Sequence, residues 1–228
     1  MRTIIHIGQH KTGTTSIQHY LKTKRNELVK EGLYVPDSLV DFDHPSHFVL
    51  NVYALNQNRF SSMKDRLLST KTPEFFIGLQ QNLEKDISRH YRKASDLGCK
   101  DVIWSNEGLY LLNSVEEYRR LLDLFDKYST EVVCICCFRE IESYRLSYMK
   151  QLTKQGIGFS QDKDSYRYVG LDSWLFDYQH KEEILRQVFE KVILFPYDKQ
   201  NMIKTFMEQI GYIVIDGDSI RLNVTKNA

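Results

Sequence analysis

The sequence carries almost no net charge, and this absence excludes a large class of functions. Its 31 Lys and Arg side chains nearly balance its 30 Asp and Glu side chains, which leaves a formal net charge of +1. A general nucleic-acid-binding protein needs an overall basic field that collects phosphates, so no nucleic-acid partner is expected. A local basic site for one small anion is still compatible with this composition.

The sequence also lacks a long hydrophobic run. No apolar stretch approaches the ~20 residues that a membrane-spanning helix needs. The first hydrophobic run is interrupted at once by His6, Gln9, His10 and Lys11, which is unlike a signal peptide. No membrane span and a cytoplasmic location are therefore expected. We find no internal repeat and no low-complexity tract, and the sequence leaves the oligomeric state open.

Cysteines are few and poorly placed for a disulfide framework or a zinc site. Cys134, Cys136 and Cys137 crowd one short apolar run, and Cys99 stands alone. Cys134 and Cys137 have the CxxC spacing, but no second pair or histidine cluster accompanies them. We expect small buried strand residues in a reducing compartment, and no metal site.

The hydrophobic pattern predicts an α/β fold. Apolar runs at 3–7, 101–104, 132–138 and 192–195 are typical of parallel strands that are covered on both faces. Helical spacing is found over 73–97 and 171–190, whereas 36–72 lacks a clear period and 153–170 is expected to be a loop. We predict a single α/β domain over 1–228, with a central, mainly parallel sheet of four or five strands and helices on both faces.

The segment after the first predicted strand has the composition of an anion-binding turn. It runs Gly8-Gln9-His10-Lys11-Thr12-Gly13-Thr14-Thr15 and leads into a predicted helix that Thr14 or Thr15 could cap. Backbone N–H groups at such a helix start attract anions, and Lys11 adds a mobile positive charge. A Walker A motif would place lysine after the second glycine, but here Lys11 precedes Gly13.

Residues 6–18, His-Ile-Gly-Gln-His-Lys-Thr-Gly-Thr-Thr-Ser-Ile-Gln, closely resemble the 5′-phosphosulfate-binding loop of a known enzyme family. The family is the sulfotransferases that use PAPS (3′-phosphoadenosine 5′-phosphosulfate), especially the bacterial and Golgi-type carbohydrate enzymes. The resemblance implies that Lys11 contacts the oxygen that bridges phosphate and sulfonate. It also implies that the loop binds the 5′-phosphate, through Thr12, Gly13, Thr14, Thr15 and Ser16.

A second segment resembles the 3′-phosphate-binding part of the same family. Phe138-Arg139 ends a predicted strand, and Ser147-Tyr148 follows on a predicted helix. The resemblance implies that Arg139 and Ser147 bind the phosphate that distinguishes PAP from AMP, and a guanidinium suits phosphate oxygens. The basic, glycine-rich C-terminal segment of the cytosolic animal enzymes is missing, because 221–228 offers only Arg221 and Lys226.

Two residues are candidates for the base that takes a proton from the acceptor. Glu107 follows the predicted strand 101–104, and catalytic groups in parallel sheets collect at the carboxyl ends of strands. His47, in a loop, is the second candidate. His10, beside Lys11, could touch the donor. Phe159, Tyr166, Tyr168 and Trp174 are aromatic residues that could stack on a sugar.

The residues and the resemblance together predict a sulfotransferase with a single P-loop-like domain. It moves a sulfonate group from PAPS to a hydroxyl or amine acceptor, for which the resemblance implies a saccharide, and releases PAP without a metal. A P-loop kinase is the first alternative, although the lysine after Gly13 and a strand-end Asp after 132–138 are both missing. The second alternative is a non-catalytic module that binds PAP or another nucleotide.

Overall fold

One parallel sheet of five strands forms the centre of the protein, in a computed structural model that describes residues 1–215. The strands are β1 (Arg2–His6), β2 (Leu33–Tyr34), β3 (Asp101–Ser105), β4 (Glu131–Phe138) and β5 (Lys191–Pro196). Their order is β2-β3-β1-β4-β5, and every neighbouring pair is parallel. The prediction of a mainly parallel sheet of four or five strands is confirmed. Arg221 and Lys226 lie outside the described residues.

Helices connect the strands. They are α1 (Thr14–Thr23), α2 (Arg25–Lys30), α3 (Val49–Ala54), α4 (Ser62–Thr70), α5 (Pro73–Ile77), α6 (Leu79–Asp96), α7 (Val115–Leu122), α8 (Ile141–Lys154), α9 (Tyr178–Val188) and α10 (Met202–Gln209). Two short 3₁₀ helices, Glu107–Leu111 and Asp126–Tyr128, precede and follow α7. None of the helices within residues 1–215 is long and apolar enough to cross a membrane.

The sheet has a hydrophobic core on each face, because successive strand residues point to opposite sides. Ile5 and Trp104 face a large core formed with α3, α6, α7, α8 and α9. Ile4 and Ile103 face a smaller core formed with α1, α2 and α10. Helices therefore cover both faces, as the apolar runs predicted.

The cysteines are buried and free. Cys134 and Cys137 belong to opposite cores, since residues three apart on a strand point to opposite faces. Burial raises the pKa of the Cys137 thiol to about 12. Among the residues that the structure describes, no three His, Cys, Asp or Glu side chains are grouped so that they could hold a metal ion.

The helix predictions were partly wrong at their boundaries. The expected helix over 73–97 is two helices separated at Gly78, a residue with low helix propensity. The helix expected over 171–190 begins only at Tyr178, because the side chain of Asp177 caps it by accepting a hydrogen bond from the His180 amide at 3.0 Å. Leu171 lies in a turn and is 63% exposed.

The short helices and the short strand that lie within irregular sequence were not predicted from the sequence. The range 36–72 contains α3 and α4, and strand β2 has only two residues. In the range 153–170, α8 continues to Lys154 before the loop begins.

The segments that follow β3, β1 and β4 lie next to one another. These three strands are neighbours in the sheet and run in the same direction, so their carboxyl ends share one edge. Ligand sites of open parallel sheets lie at this edge. The predicted donor and base residues 8–16, 107 and 139 all follow these strands directly.

Candidate active site

The first residues of the turn after β1 continue the backbone hydrogen bonding with β4 before the chain reverses. The Cys137 amide donates to the Gly8 carbonyl at 2.9 Å, and the Gln9 amide donates to the Cys137 carbonyl at 3.3 Å. Lys11 and Gly13 then adopt left-handed backbone conformations, with φ of 64° and 77°. Glycine adopts this conformation without cost, but a lysine does so only where its surroundings enforce it. Such conformations are concentrated at functional sites.

Among residues 1–215, no side chain caps the N-terminus of α1 by accepting a hydrogen bond. Its N-cap is Gly13 rather than Thr14 or Thr15, so the expected threonine cap is wrong. Thr12 is fully buried and its hydroxyl donates to the Gln9 carbonyl at 2.6 Å, which commits it to holding the turn. Uncapped amides and the helix dipole favour an anion at this point.

Lys11 is an exposed cation beside these amides. Partial burial lowers its pKa, and the positive charges of Arg139 and Lys154 lower it further. The three cations therefore share one part of the surface, which makes it attractive to an anion with several charges.

Arg139 is held against the turn by backbone and side-chain bonds. Its amide donates to Oε1 of Gln9 at 3.1 Å. Nε2 of Gln9 donates to the Tyr178 hydroxyl at 3.0 Å, and that hydroxyl donates to the Arg139 carbonyl at 2.6 Å. The Tyr178 ring stacks on Phe138 with centroids 4.5 Å apart. Gln9 and Tyr178 thus fix the end of β4 relative to the turn after β1, a function that the sequence did not reveal.

The Arg139 guanidinium points along α8. Its Nε donates to the Ser143 hydroxyl at 2.8 Å, its Nη1 donates to the Lys11 carbonyl at 3.0 Å, and it lies over the Tyr197 ring at 5.3 Å. Ser143 is therefore the serine that binds the Arg139 side chain in this structure. The expectation that Ser147 binds the 3′-phosphate stays a prediction. Ser147 is half-buried one turn further along α8. The four-residue spacing from Arg139 to Ser143 is the signal that could have found it.

Glu107 lies directly against the turn. A side chain at Gly8 would bring its Cβ to 2.9 Å from the Glu107 Cα, and Gly8 has a φ of 99°, so only glycine allows this approach. Nε2 of Gln18, on α1, donates to Oε2 of Glu107 at 2.7 Å. The half-buried carboxylate is therefore oriented by a residue of the helix that begins at the turn.

His47 is placed differently. Its side chain is buried, its Nδ1 accepts from the Ser105 amide at 3.0 Å, and its Nε2 lies 3.4 Å from the Pro36 carbonyl. Both ring nitrogens therefore have backbone partners. Burial lowers the pKa of His47 to about 4, so the ring is neutral at physiological pH.

His10 belongs to the site as well. It is 8% exposed, and its ring contacts Tyr148 of α8 at 5.7 Å. Its buried Nδ1 has no hydrogen-bond partner in the part of the chain that the structure describes. Burial lowers its pKa, Glu107 opposes this shift and Lys11 adds to it, so both groups lie within its electrostatic range.

The sulfotransferase-like fold of the chain rests on its similarity to one solved structure. The chain is similar to a sulfotransferase from Alicyclobacillus acidocaldarius, with 12% sequence identity, a TM-score of 0.53, and coverage of 98% of this chain and 87% of that one. It is also similar to a tunicamycin resistance protein from Deinococcus radiodurans, with 12% identity, a TM-score of 0.46, and coverage of 95% and 99%. No protein-family model and no curated protein matches it. The chain thus has the P-loop-like α/β fold of a sulfotransferase.

Proposed function

We propose that the chain transfers the sulfonate group of PAPS to a hydroxyl or amine group of an acceptor and releases PAP. One observation carries this proposal: an uncapped helix N-terminus with Lys11 lies between Arg139 on one side and Glu107 on the other. The site can therefore bind an anionic group at each of its two ends, at the start of α1 and at Arg139. The Glu107 carboxylate lies beside the first of these ends.

The residues of the turn fit the phosphosulfate end of the donor. The uncapped amides at the start of α1, with Thr14, Thr15 and Ser16, would bind the 5′-phosphate. Gly13 lets the turn pack closely against Met202, whose Cγ would lie 3.0 Å from a Cβ at this position. Thr12 holds the turn in shape. Lys11 would neutralise the charge that develops on the oxygen between phosphorus and sulfur.

Arg139 fits the 3′-phosphate. Within residues 1–215 its guanidinium bonds to a hydroxyl and a carbonyl, and no carboxylate pairs with it. Its positive charge is therefore left for a ligand anion. We propose that Ser143 and Ser147 also bind the 3′-phosphate. Both residues belong to α8, and the Ser143 hydroxyl accepts a hydrogen bond from Arg139.

The transfer uses charge stabilisation and one proton acceptor. The acceptor oxygen or nitrogen forms a bond to sulfur as the bond from sulfur to the bridging oxygen breaks. Lys11 stabilises the oxygen that leaves with PAP. Glu107 takes the proton of the acceptor, and Gln18 holds the carboxylate in place for this step.

Glu107 is a better candidate for the base than His47. A base must have a lone pair that points to the acceptor, whereas both nitrogens of His47 are bonded to the backbone. We therefore propose that His47 holds the loop around Pro36 against the end of β3. The saccharide acceptor and the cytoplasmic location remain predictions.

The kinase and the binding module are weaker alternatives. The turn lacks a lysine after Gly13, and the residue after β4 is Arg139 rather than an aspartate that could hold Mg²⁺. A binding module that lost its chemistry has no need of a carboxylate placed against the turn by Gly8 and Gln18.

The test is transfer from radiolabelled PAPS to a panel of saccharides, lipids and phenols. We expect label in at least one acceptor, and a fall of about 10²–10³-fold in rate for Lys11→Met, which keeps the side-chain length but removes its charge. Lys199→Met, on an exposed turn after β5, is the matched control and should keep the rate. Binding of PAP without transfer to any acceptor would favour the binding module.

A further inference from the structure

An apolar groove lies along the outer side of α8. Six residues line it: Leu146, Met149, Lys150, Thr153, Lys154 and Phe159. Its volume is about 480 Å³. Leu146 and Phe159 are 53% and 49% exposed, so about half of the surface of each side chain is not used in packing. A contiguous exposed apolar patch marks a binding site more often than isolated exposed side chains do.

The α8 groove continues from the candidate donor site. Helix α8 begins two residues after Arg139, and Ser143, Ser147, Lys150 and Lys154 follow one another at spacings of four, three and four residues. Residues at these spacings lie on one side of a helix. Tyr148, on the buried side of the same helix, contacts His10 of the donor turn at 5.7 Å. The helix that carries the α8 groove therefore packs against the donor turn.

The α8 groove carries two positive charges without a carboxylate partner in the described part of the chain. They are the side chains of Lys150 and Lys154, which form no ion pair among residues 1–215. Lys154 lies close enough to Lys11 to lower its pKa. In the proposed reaction Lys11 and Arg139 bind the donor, so these two lysines are available to a different anion.

We propose that the α8 groove binds the acceptor, and that the acceptor is an anionic amphiphile. Its apolar chain or ring lies against Leu146, Met149 and Phe159, and its acidic group binds Lys150 and Lys154. Leu146 and Met149 offer aliphatic surface, for which a free saccharide has no matching group. The term acceptor rests on the proposed function, whereas binding of the amphiphile does not.

The test is a fluorescence titration of the protein, saturated with PAP, with dansyl-aminoundecanoic acid. Its methyl ester tests the role of charge, and a sulfated hexasaccharide tests an anion without an apolar chain. The acid should bind about tenfold more tightly than the ester, since the two lysines attract only the charged form. The hexasaccharide should not displace it.

Variants localise the binding. Phe159→Ser and Leu146→Ser should each weaken binding of the acid about tenfold, because they remove apolar contact area. Lys150→Gln with Lys154→Gln should abolish the preference for the acid over the ester. Ile77→Ser, which is 80% exposed on α5, and Lys85→Gln, which is exposed on α6, are the matched controls and should bind like the wild type.

The outcomes separate this inference from the proposed function. If the wild type does not bind PAP but the groove variants weaken binding of the acid as expected, the proposed function is contradicted and the groove is supported. Normal PAP binding with groove variants that bind the acid like the wild type would overturn the groove and leave the proposed function standing. Displacement of the acid by the hexasaccharide, lost in Lys150→Gln with Lys154→Gln, would overturn the amphiphile in favour of an acidic saccharide.

Discussion

The backbone amide of Arg139 donates a hydrogen bond to the side-chain oxygen of Gln9 at 3.1 Å. The side-chain nitrogen of Gln9 donates to the Tyr178 hydroxyl, and this hydroxyl donates to the Arg139 carbonyl. The two parts of the proposed donor site, which are 130 residues apart in sequence, are thereby held at a fixed separation. A donor with a phosphate at each end requires such a separation.

Gln9→Leu should therefore weaken PAP binding. The substitution leaves the Arg139 amide without its partner, whereas the Tyr178 hydroxyl keeps its hydrogen bond to the Arg139 carbonyl, and the cost of an unmade hydrogen bond is about 1–3 kcal/mol. We expect the Kd for PAP to rise about tenfold, measured by calorimetry. Gln57→Leu, in the loop after α3, is the control. A normal Kd for PAP in Gln9→Leu would show that the hydrogen bonds of Gln9 do not hold the donor site in its binding geometry.

Arg139→Ala should reduce discrimination between PAP and AMP, which differ by the 3′-phosphate. A hydrogen bond to a charged group contributes roughly 1.5–3 kcal/mol, so affinity for PAP should fall at least about tenfold while affinity for AMP changes little. Ser143→Ala should have a smaller effect in the same direction. The control is Arg186→Ala, on the exposed side of α9. If Arg139→Ala prefers PAP over AMP as strongly as the wild type does, another residue binds the 3′-phosphate.

Glu107→Gln should leave PAP binding intact and reduce transfer. Glutamine can still accept the hydrogen bond from Gln18 but cannot take a proton, and loss of a general base lowers a rate about 10²–10⁴-fold. The measurement is the initial rate with the best acceptor of the panel. His47→Asn, whose side-chain oxygen can accept from the Ser105 amide, should keep the rate per folded molecule. The reverse result, with Glu107→Gln active and folded His47→Asn inactive, would identify His47 as the base.

Stability should fall in acid because buried histidines stay neutral. Burial lowers the pKa of both His6 and His47 to about 4, from an ordinary value of 6.5. Below pH 6.5 the unfolded state binds protons that the folded state does not, so the free energy of unfolding decreases as the pH falls from 6.5 to about 4. Each histidine contributes a slope of about 1.4 kcal/mol per pH unit within this window.

His47→Asn should make this pH dependence shallower. Urea unfolding at several pH values would measure it, with His180→Gln, on the exposed side of α9, as the control. A slope in His47→Asn equal to that of the wild type would mean that His47 is already charged, or exposed, in the folded protein.

Features set by continuous local sequence were predictable. The apolar runs identified β1, β3, β4 and β5, and the Gly-Lys-Thr composition identified the turn. Strand β2 was missed because two residues, Leu33 and Tyr34, cannot establish a period. The partner of Glu107 could not be predicted, since Gln18 is 89 residues away and reaches it only through the packing of α1 against the sheet. The α9 boundary depended on one capping side chain, Asp177.

The measurement that tests the central claim most directly is a comparison of donor affinities by titration calorimetry. We expect PAP to bind at least about tenfold more tightly than AMP, since Arg139 adds a charged contact to the 3′-phosphate, and more tightly than ATP with or without Mg²⁺. EDTA should not change the affinity for PAP. Tighter binding of Mg·ATP than of PAP would contradict the account and favour a kinase.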